Sequence, residues 1–349
     1  MKLSEAVRGV SGTLAADGEF SCIAFATEQE QSQFLTFLEK AKFLLALNNP
    51  GISCVLIKPE LADRVPPHIH GVFVCDAPKA ALFTIHNALS KDEAYVGPSF
   101  PTRIGKNCNI SPLAVIPERN VSIGDDVTIE PFVVIRERTT IGSRVTIRAG
   151  AIIGGSAYAY ASKGAQYLRA EDTASIEIGD DVDIFEQVCI ERSTFPWEKT
   201  AIGRNSKLGI NCGIGHGSCV GENCEIAGKS TCCGYCTIGN NVWIGPGAII
   251  SNRKVIGDNA RVTIGSVVAG NVPAGAEYTG NFAMPHQQFM RNYMLSLRKS
   301  GAAPRSFTEK SLRNTTKRRS LPAPPRNLRI SRENWRPDGR RRCHGRRFQ

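Results

Sequence analysis

Aliphatic residues recur at every sixth position over most of the chain, and this period organises the sequence. The hexads begin at Ile104, Ile110 and Ile116, then at Ile123, Ile129, Ile135, Ile141, Ile147 and Ile153, and then at Ile178, Ile184, Ile190, Ile202, Leu208, Ile214, Val220, Ile226, Ile238, Ile244, Ile250, Ile256, Val262 and Val268. Within the last run only Pro196 and Cys232 break the aliphatic pattern. A helix would need a period near 3.6 residues, so the pattern predicts very short strands rather than helices.

The other positions of the hexad refine this prediction. Glycine often follows the aliphatic residue, as at Gly203 and Gly215, and we expect it to permit the positive φ of a corner and a close approach of the backbone. The fifth position is mostly small or β-branched, as at Val127 and Ser218. One strand and one corner per hexad give a three-sided parallel β-helix. About 25 hexads would make about eight coils, a prism roughly 40 Å long at the spacing of paired strands.

Residues 1–100 lack the repeat and are predicted to form a small α/β domain. Residues 22–26, 53–57 and 71–75 are short apolar runs typical of buried strands, and residues 77–90 have helical spacing. Residues 34–47 suit either a helix or a strand followed by a helix.

The prism is expected to span residues 101–284, with a loop excursion at 155–177 that carries three tyrosines. Loops inserted in a solenoid project outward, and this one either covers a site or packs on itself. A short amphipathic C-terminal helix is predicted over residues 285–300.

The net charge of +11 comes from the end of the chain. Residues 298–349 hold 17 Lys and Arg against 3 Asp and Glu, so residues 1–297 keep 26 against 29. Residues 301–349 are therefore predicted to be a basic disordered tail. We expect the tail to contact anionic membranes or polyanions weakly, without sequence-specific nucleic-acid recognition. We find no secretion signal or membrane span in the pattern, so a cytoplasmic protein, peripheral to the inner membrane at most, is expected.

Cysteine and histidine offer little support for a metal site. Cys108, Cys212, Cys224 and Cys236 fall on the small inward position of the hexad, which predicts core thiols rather than ligands. His216 is the one histidine inside the repeat, and a zinc site of the three-histidine type cannot be built from it. We therefore expect no metal. His216 lies at an outward corner, where it is either a plain surface residue or a catalytic base.

Hexads led by Ile, Leu or Val and followed by Gly resemble the bacterial hexapeptide-repeat transferases, which implies a left-handed helix and a homotrimer. The order of parts over residues 1–300 resembles the UDP-3-O-acylglucosamine N-acyltransferases of lipid A biosynthesis. Local matches are residues 153–160 with the family's tyrosine-bearing loop, residues 190–192 with its Ile-Asp-Arg, and residues 214–216 with its Ile-Ala-His.

The resemblance implies roles for five residues. His216 would be the general base, and the backbone N–H of Gly234, one coil later, the oxyanion donor. Phe37 and Phe43 would sandwich uracil, and Arg253 would meet the phosphate of the acyl carrier protein's phosphopantetheine. The acyl chain would pass from that thioester, a co-substrate rather than a cofactor, to the amine of a UDP-linked aminosugar.

Three departures and two alternatives stay open. A second histidine that the family has near the pantetheine phosphate is either replaced by Arg253 here or displaced. The family usually has Asn where this chain has Gly217, and an acidic residue where it has Gly209. An alternative enzyme is a coenzyme-A-dependent sugar acetyltransferase, and an alternative of another class is a non-catalytic β-helix scaffold with a polyanion-binding tail.

Overall fold

The computed structural model describes residues 1–280 and 283–299. The predicted basic tail, residues 301–349, lies outside the described residues. A first structural unit ends at Phe282, and helix α4, the predicted C-terminal helix, belongs to the second unit and spans His286–Lys299. Within the described residues no helix has the length and apolar character needed to cross a membrane.

The N-terminal part is an α/β layer built on one five-stranded sheet. Its elements are α1 (Leu3–Ala6), β1 (Thr13–Ala16), β2 (Cys22–Ile23), β3 (Phe34–Leu38), a 3-10 helix (Ala41–Asn48), β4 (Ile52–Ile57), a second 3-10 helix (Pro59–Arg64), β5 (Gly71–Val74), α2 (Pro78–Leu89) and α3 (Glu93–Val96). The strand order is β1-β5-β4-β3-β2, with β1 antiparallel to β5 and the other pairs parallel.

The strands predicted near residues 22, 53 and 71 and the helix predicted over 77–90 are confirmed. The ambiguous segment 34–47 is a strand followed by a 3-10 helix. Strand β1 was not predicted, because three of its four residues are exposed and they carry no apolar alternation.

The rest of the first unit is a parallel β-helix with three faces. Its strands in chain order are β6 (Arg103–Ile104), β7 (Asn109–Ile110), β8 (Val121–Ile123), β9 (Thr128–Ile129), β10 (Val134–Ile135), β11 (Thr139–Ile141), β12 (Thr146–Ile147), β13 (Ile152–Ser156), β14 (Tyr160–Lys163), β15 (Gln166–Arg169), β16 (Ser175–Ile178), β17 (Asp183–Ile184), β18 (Cys189–Arg192), β19 (Lys199–Ile202), β20 (Lys207–Leu208), β21 (Gly213–Ile214), β22 (Cys219–Val220), β23 (Glu225–Ile226), β24 (Thr231–Cys232), β25 (Thr237–Ile238), β26 (Trp243–Ile244), β27 (Ile249–Ile250), β28 (Val255–Ile256), β29 (Arg261–Val262), β30 (Val267–Val268) and β31 (Glu277–Tyr278).

These strands form three stacked sheets, which we call faces I, II and III. Face I has 8 strands (β28-β25-β22-β19-β16-β11-β8-β6), face II has 9 (β31-β29-β26-β23-β20-β17-β12-β9-β7) and face III has 7 (β10-β13-β18-β21-β24-β27-β30). The numbers agree with the predicted eight coils. Regular coils pair residues 18 apart, as in Cys219 with Thr237.

The prism interior has the predicted composition. The leading aliphatic residues and the small fifth residues form one continuous buried cluster, which includes Ile214, Cys224 and Cys236. Cys232, which replaces an aliphatic residue, is also fully buried in this cluster. The inward thiols are therefore packing groups, as predicted.

Of the two reasons predicted for the glycines, close backbone approach is confirmed and positive φ is wrong. The left-handed backbone falls on the fourth residue of the hexad, as at Asn223 (φ 55°) and Asn241 (φ 56°), and not on the second. The second position needs glycine for the close approach. A Cβ on Gly203 would lie 2.4 Å from the carbonyl carbon of Gly221 in the next coil, so a side chain would push the coils apart.

Two insertions leave the regular path between faces. The predicted loop excursion is a β-hairpin, since β14 pairs antiparallel with β15. It packs on α2, where the Asn87 side chain donates to Arg169 O at 2.8 Å and accepts from Glu171 N at 2.9 Å. The second insertion is the hexad around Pro196, because Asp183 pairs with Lys207, 24 residues away instead of 18. We call residues 193–198 the anchor loop. These six residues keep the period of the repeat in the sequence, but they leave the prism and form none of its strands.

Candidate active site

A cavity of about 510 Å³ lies where the N-terminal part meets the corner that follows face III. From the prism it is lined by residues 213–216, residues 231–235, Cys189, Glu191, Thr194, Asn252 and Arg253, and from outside the prism by Phe25, Lys79, Phe83, Tyr158 and Ala159. We call this corner the site corner. Of the five site residues predicted from the sequence, His216, Gly234 and Arg253 line the cavity, and Phe37 and Phe43 do not.

His216 is held by packing rather than by hydrogen bonds of its ring. Its Nδ1 is buried without a hydrogen-bond partner, and no hydrogen bond of its Nε2 occurs among the described residues. The main-chain N–H of His216 donates to Glu191 Oε2 at 3.2 Å. Burial, together with the nearby Arg253 charge, lowers the pKa of His216 below its ordinary value of 6.5. The imidazole is therefore neutral at neutral pH and able to accept a proton.

Gly234 lies directly beside this ring. A Cβ at Gly234 would be 2.6 Å from both Cε1 and Nε2 of His216, so only glycine leaves room for the imidazole. Within residues 1–280 and 283–299 the N–H of Gly234 has no acceptor, while its neighbours Cys233 and Tyr235 donate to Ile250 O and His216 O. The corner thus offers one open backbone donor beside one neutral imidazole.

Tyr235 and Arg253 follow on the same corner, each at the fourth position of its hexad, with φ values of 61° and 58°. The Tyr235 ring lies 5.0 Å from the His216 ring, with the two planes nearly perpendicular at 87°. The guanidinium carbon of Arg253 lies 4.5 Å from the Tyr235 ring centroid, and an Arg253 Nη1–H donates to Thr27 Oγ1 at 3.4 Å. Arg253 is exposed at the cavity edge, so its predicted contact with a phosphate stays a prediction.

The two predicted uracil-binding residues lie elsewhere. Phe37, on β3, packs edge-on against Phe25 with ring centroids 6.3 Å apart. Phe43, on the first 3-10 helix, is 53% exposed, with the Lys42 ammonium 4.9 Å from its ring centroid. No ring contact joins Phe37 to Phe43 in the described part of the chain. The aromatic residues that the N-terminal part does place in the cavity are Phe25 and Phe83, and no motif in the sequence marks either of them.

The anchor loop joins the cavity wall to the N-terminal part. Trp197 Nε1 donates to Ile23 O at 2.9 Å, and the Phe195 ring packs against Phe25 at 5.2 Å. Glu198, only 7% exposed, accepts from Phe195 N and from the Tyr235 hydroxyl, both at 3.1 Å. Burial raises the pKa of Glu198 above its usual range. Sequence reasoning missed this loop because Pro196 sits in hexad phase.

No group of three or more His, Cys, Asp or Glu side chains that could hold a metal ion occurs in residues 1–280 and 283–299. His86 is a buried structural residue, with Nδ1 3.0 Å from the Tyr95 hydroxyl and Nε2 2.9 Å from Glu171 O.

Comparisons with known proteins agree with the repeat. Residues 120–155 match the bacterial transferase hexapeptide (six repeats) family model. A UDP-3-O-acylglucosamine N-acyltransferase of Janthinobacterium sp. (strain Marseille) is 25% identical over 170 residues, which cover 48% of this chain and 47% of that protein. The protein of the same name from Coxiella burnetii (strain Dugway 5J108-111) is 26% identical over 234 residues, or 59% and 66% of the two chains. The chain thus spans about half the length of the first curated relatives it matches.

A solved structure with a similar fold is the UDP-N-acetylglucosamine O-acyltransferase of Moraxella catarrhalis RH4, 24% identical with a TM-score of 0.34 over 62% of this chain and 88% of that one. The Arabidopsis UDP-N-acetylglucosamine acyltransferase is 19% identical with a TM-score of 0.41 over 61% and 85%.

The repeat and the three-faced prism define a parallel β-helix of hexapeptide repeats, as predicted, and residues 120–155 are similar to the repeats of bacterial transferases. The predicted resemblance to the UDP-3-O-acylglucosamine N-acyltransferases is confirmed by these curated relatives, which match part of the chain at 25% and 26% identity.

Proposed function

We propose that the protein is an N-acyltransferase that moves an acyl chain from a phosphopantetheine thioester of acyl carrier protein to the amine of a UDP-linked aminosugar. The amine nitrogen attacks the thioester carbon, His216 takes the proton of the attacking amine, and the carbon–sulfur bond breaks to release the thiol. A covalent enzyme intermediate is not needed, since the thioester is already activated.

The observation that carries this proposal is the pairing of the His216 imidazole with the open N–H of Gly234 at the cavity. A tetrahedral oxyanion needs a donor that is not already engaged, and this N–H is free of acceptors within the described residues. The base must be neutral, and burial lowers the pKa of His216. The two groups come from consecutive coils of one corner, so the prism itself fixes their separation.

The charge of the cavity suits a nucleotide sugar. Lys79 and Arg253 both line it, and its acidic lining residue is Glu191. Burial lowers the pKa of Lys79 and raises that of Glu191, and each shift brings the group closer to its neutral form. The Arg253 guanidinium, a planar fork of N–H donors, suits a phosphate.

A homotrimer is part of the proposal and is supported by the outer surface of face III. The residue just before the inward aliphatic position of each strand is uncharged; these residues are Val134, Ile152, Cys189, Gly213, Thr231, Ile249 and Val267. Face II, in contrast, presents Asp183, Lys207, Glu225 and Arg261. An uncharged face that borders the cavity suits burial against a second copy, which would complete the site.

The test is an acyl-transfer assay with the full chain, acyl carrier protein loaded with acyl groups of several lengths, and UDP-sugars with a free amine. Transfer to nitrogen, lost in a His216→Ala variant that keeps its assembly state, supports the proposal. Transfer only from acetyl-coenzyme A would replace it with the sugar acetyltransferase alternative. Binding of polyanions without transfer from either donor would favour the scaffold.

A further inference from the structure

The His216 ring lacks the hydrogen-bonded partner that usually orients a catalytic imidazole. In serine hydrolases a carboxylate accepts from Nδ1–H and fixes the tautomer and the ring plane. Here Nδ1 is buried with no partner, and no hydrogen bond of Nε2 occurs within the described residues. The orientation of the ring must therefore come from the groups packed against it.

Two groups supply that packing. The backbone of Gly234 lies so close to the ring that a Cβ there would be 2.6 Å from Nε2. The Tyr235 ring lies 5.0 Å away, perpendicular to the imidazole. Such edge-to-face pairs of rings stabilise one relative orientation.

Gly217 makes this arrangement possible. It lies one coil before Tyr235 on the same corner, and a Cβ there would be 2.6 Å from Cδ1 and Cε1 of the tyrosine. Glycine at 217 and tyrosine at 235 are thus one complementary pair. The same glycine is where the family resemblance led us to expect asparagine. This departure from the family is therefore matched by Tyr235, whose ring fills the space that a side chain at 217 would need.

The tyrosine is fixed in its turn. Its hydroxyl donates to Glu198 Oε1 at 3.1 Å, and the Glu198 carboxylate also accepts from the Ser193 hydroxyl. Arg253 covers the tyrosine ring at 4.5 Å, and Phe25 packs edge-on against it at 6.2 Å.

We propose that Tyr235 is a positioning residue that holds the His216 imidazole by ring packing, with the buried Glu198 of the anchor loop as its anchor. Its effect on turnover rests on the proposed function, whereas its effect on the imidazole does not. The charged groups around His216 are Arg253, Glu191 and, across the cavity, Lys79.

The experiment compares Tyr235→Leu with Tyr235→Phe, and uses Tyr278→Phe, an exposed tyrosine on β31, as the matched control. Loss of the ring in Tyr235→Leu should lower kcat about 10-fold or more with little change in KM, as removal of a supporting group typically does. Phenylalanine keeps the ring, so kcat of Tyr235→Phe should fall by no more than about 5-fold, which corresponds to the loss of one hydrogen bond. The control should match the wild type.

A second readout follows the His216 ring by NMR during a pH titration and needs no substrate. In Tyr235→Leu water should reach the ring, and the pKa of His216 should rise toward its ordinary value. Thermal unfolding and light scattering show whether each variant is folded and assembled, and Tyr235→Phe carries the test if the leucine variant does not fold. In that case a lower kcat at unchanged KM, with a shifted His216 titration, supports the proposal.

Three results would overturn the positioning role: an unchanged His216 titration and kcat in folded Tyr235→Leu, equal damage by leucine and phenylalanine, or a raised KM with unchanged kcat. A shifted titration in a protein that transfers no acyl group would instead keep the positioning role and remove the proposed function.

Discussion

Two corners of the same prism use the same backbone for different purposes. At the corner after face I, which we call the ladder corner, several backbone N–H groups at the third hexad position are capped by side chains of the next coil. Asp125 Oδ1 accepts from Lys106 N at 2.7 Å, and Asn240 Oδ1 accepts from Glu222 N at 2.8 Å. At the site corner the equivalent N–H of Gly234 has no acceptor within the described residues.

The difference shows how a repeat gains a reactive site without changing its coils. The ladder corner satisfies its own donors and therefore contributes stability. At the site corner Asn252 has the place of the side chain that would cap Gly234 N, but its Oδ1 accepts from the Ser251 hydroxyl at 3.4 Å, so the Gly234 N–H stays open. The missing side chain of Gly234 itself leaves room for the imidazole of the preceding coil. A mutation at one corner should therefore affect activity, and the equivalent mutation at the other should affect stability.

The largest effect should come from His216→Ala. Without the base, kcat should fall at least about 100-fold, the lower range for general-base catalysis. Because the ring is packed against Gly234 and Tyr235, a small loss of thermal stability should accompany the change. Steady-state kinetics on the assembled protein measure the effect; near-normal turnover would remove His216 from the mechanism.

Gly234→Ala should cause the second-largest loss of acyl-transfer rate. The new Cβ would lie 2.6 Å from the imidazole and displace it, and a displacement of about 1 Å can cost about 100-fold in rate. Gly228→Ala is the matched control, since Gly228 has the same hexad position at the corner after face II, and its new Cβ would be 3.0 Å from Ile210 atoms. Equal activity of the two variants would contradict the special role of the site corner.

Ile249→Lys tests face III as a contact between copies. A charge on this uncharged face should shift the assembly from trimer to monomer in light scattering, because an unpaired charge is costly to bury. Glu225→Lys on face II should leave the assembly unchanged. A trimeric Ile249→Lys protein would show that copies meet elsewhere.

Asn240→Ala should affect stability alone. It removes the acceptor of Glu222 N, so the free energy of unfolding should fall by about 1 kcal/mol, measured by urea denaturation. Acyl transfer should stay at the wild-type rate. A large loss of transfer would mean that the two corners are not separate in function.

The smallest effect should be a shift of the pH profile. The pKa of His216 is lowered, so the neutral base persists below pH 6.5 and kcat should fall only at lower pH. Because the folded state resists protonation of this histidine, its contribution to stability is lost as the pH falls below 6.5. Arg253→Gln removes a neighbouring positive charge, so the acid limb of kcat should move to higher pH. Arg204 lies at the ladder corner, so Arg204→Gln should leave the acid limb of the kcat profile at the wild-type pH.

The sequence could predict the prism because its information is periodic. An aliphatic residue at every sixth position admits one way to bury a continuous core, and Cys232 fills the same place although it is not aliphatic. The same regularity was misleading at Pro196, where six inserted residues keep the phase and yet leave the prism. Periodicity tells which residues share a face, and it cannot distinguish a coil from an insertion of the same length.

The residues of the site also divide into those that local spacing in the sequence could predict and those that it could not. His216 could be singled out from the sequence, because it is the one histidine at an outward corner of the repeat, and Gly234 follows it by one coil. Phe25 and the anchor loop could not, since their place in the cavity depends on how the N-terminal part packs against the prism. For Tyr235 the sequence held one indication, Gly217 one coil earlier. Its meaning became clear only when the structure showed the tyrosine ring packed against that glycine.

By itself, then, the sequence determined the coil length, the inward thiols and the corner that carries His216, because each follows from local spacing. Only the tertiary structure decided that the left-handed backbone falls on the fourth hexad position, that Phe37 and Phe43 lie outside the cavity and that a buried glutamate holds Tyr235 against the imidazole. These features depend on contacts between segments far apart in the chain. No periodic pattern in the sequence encodes such contacts.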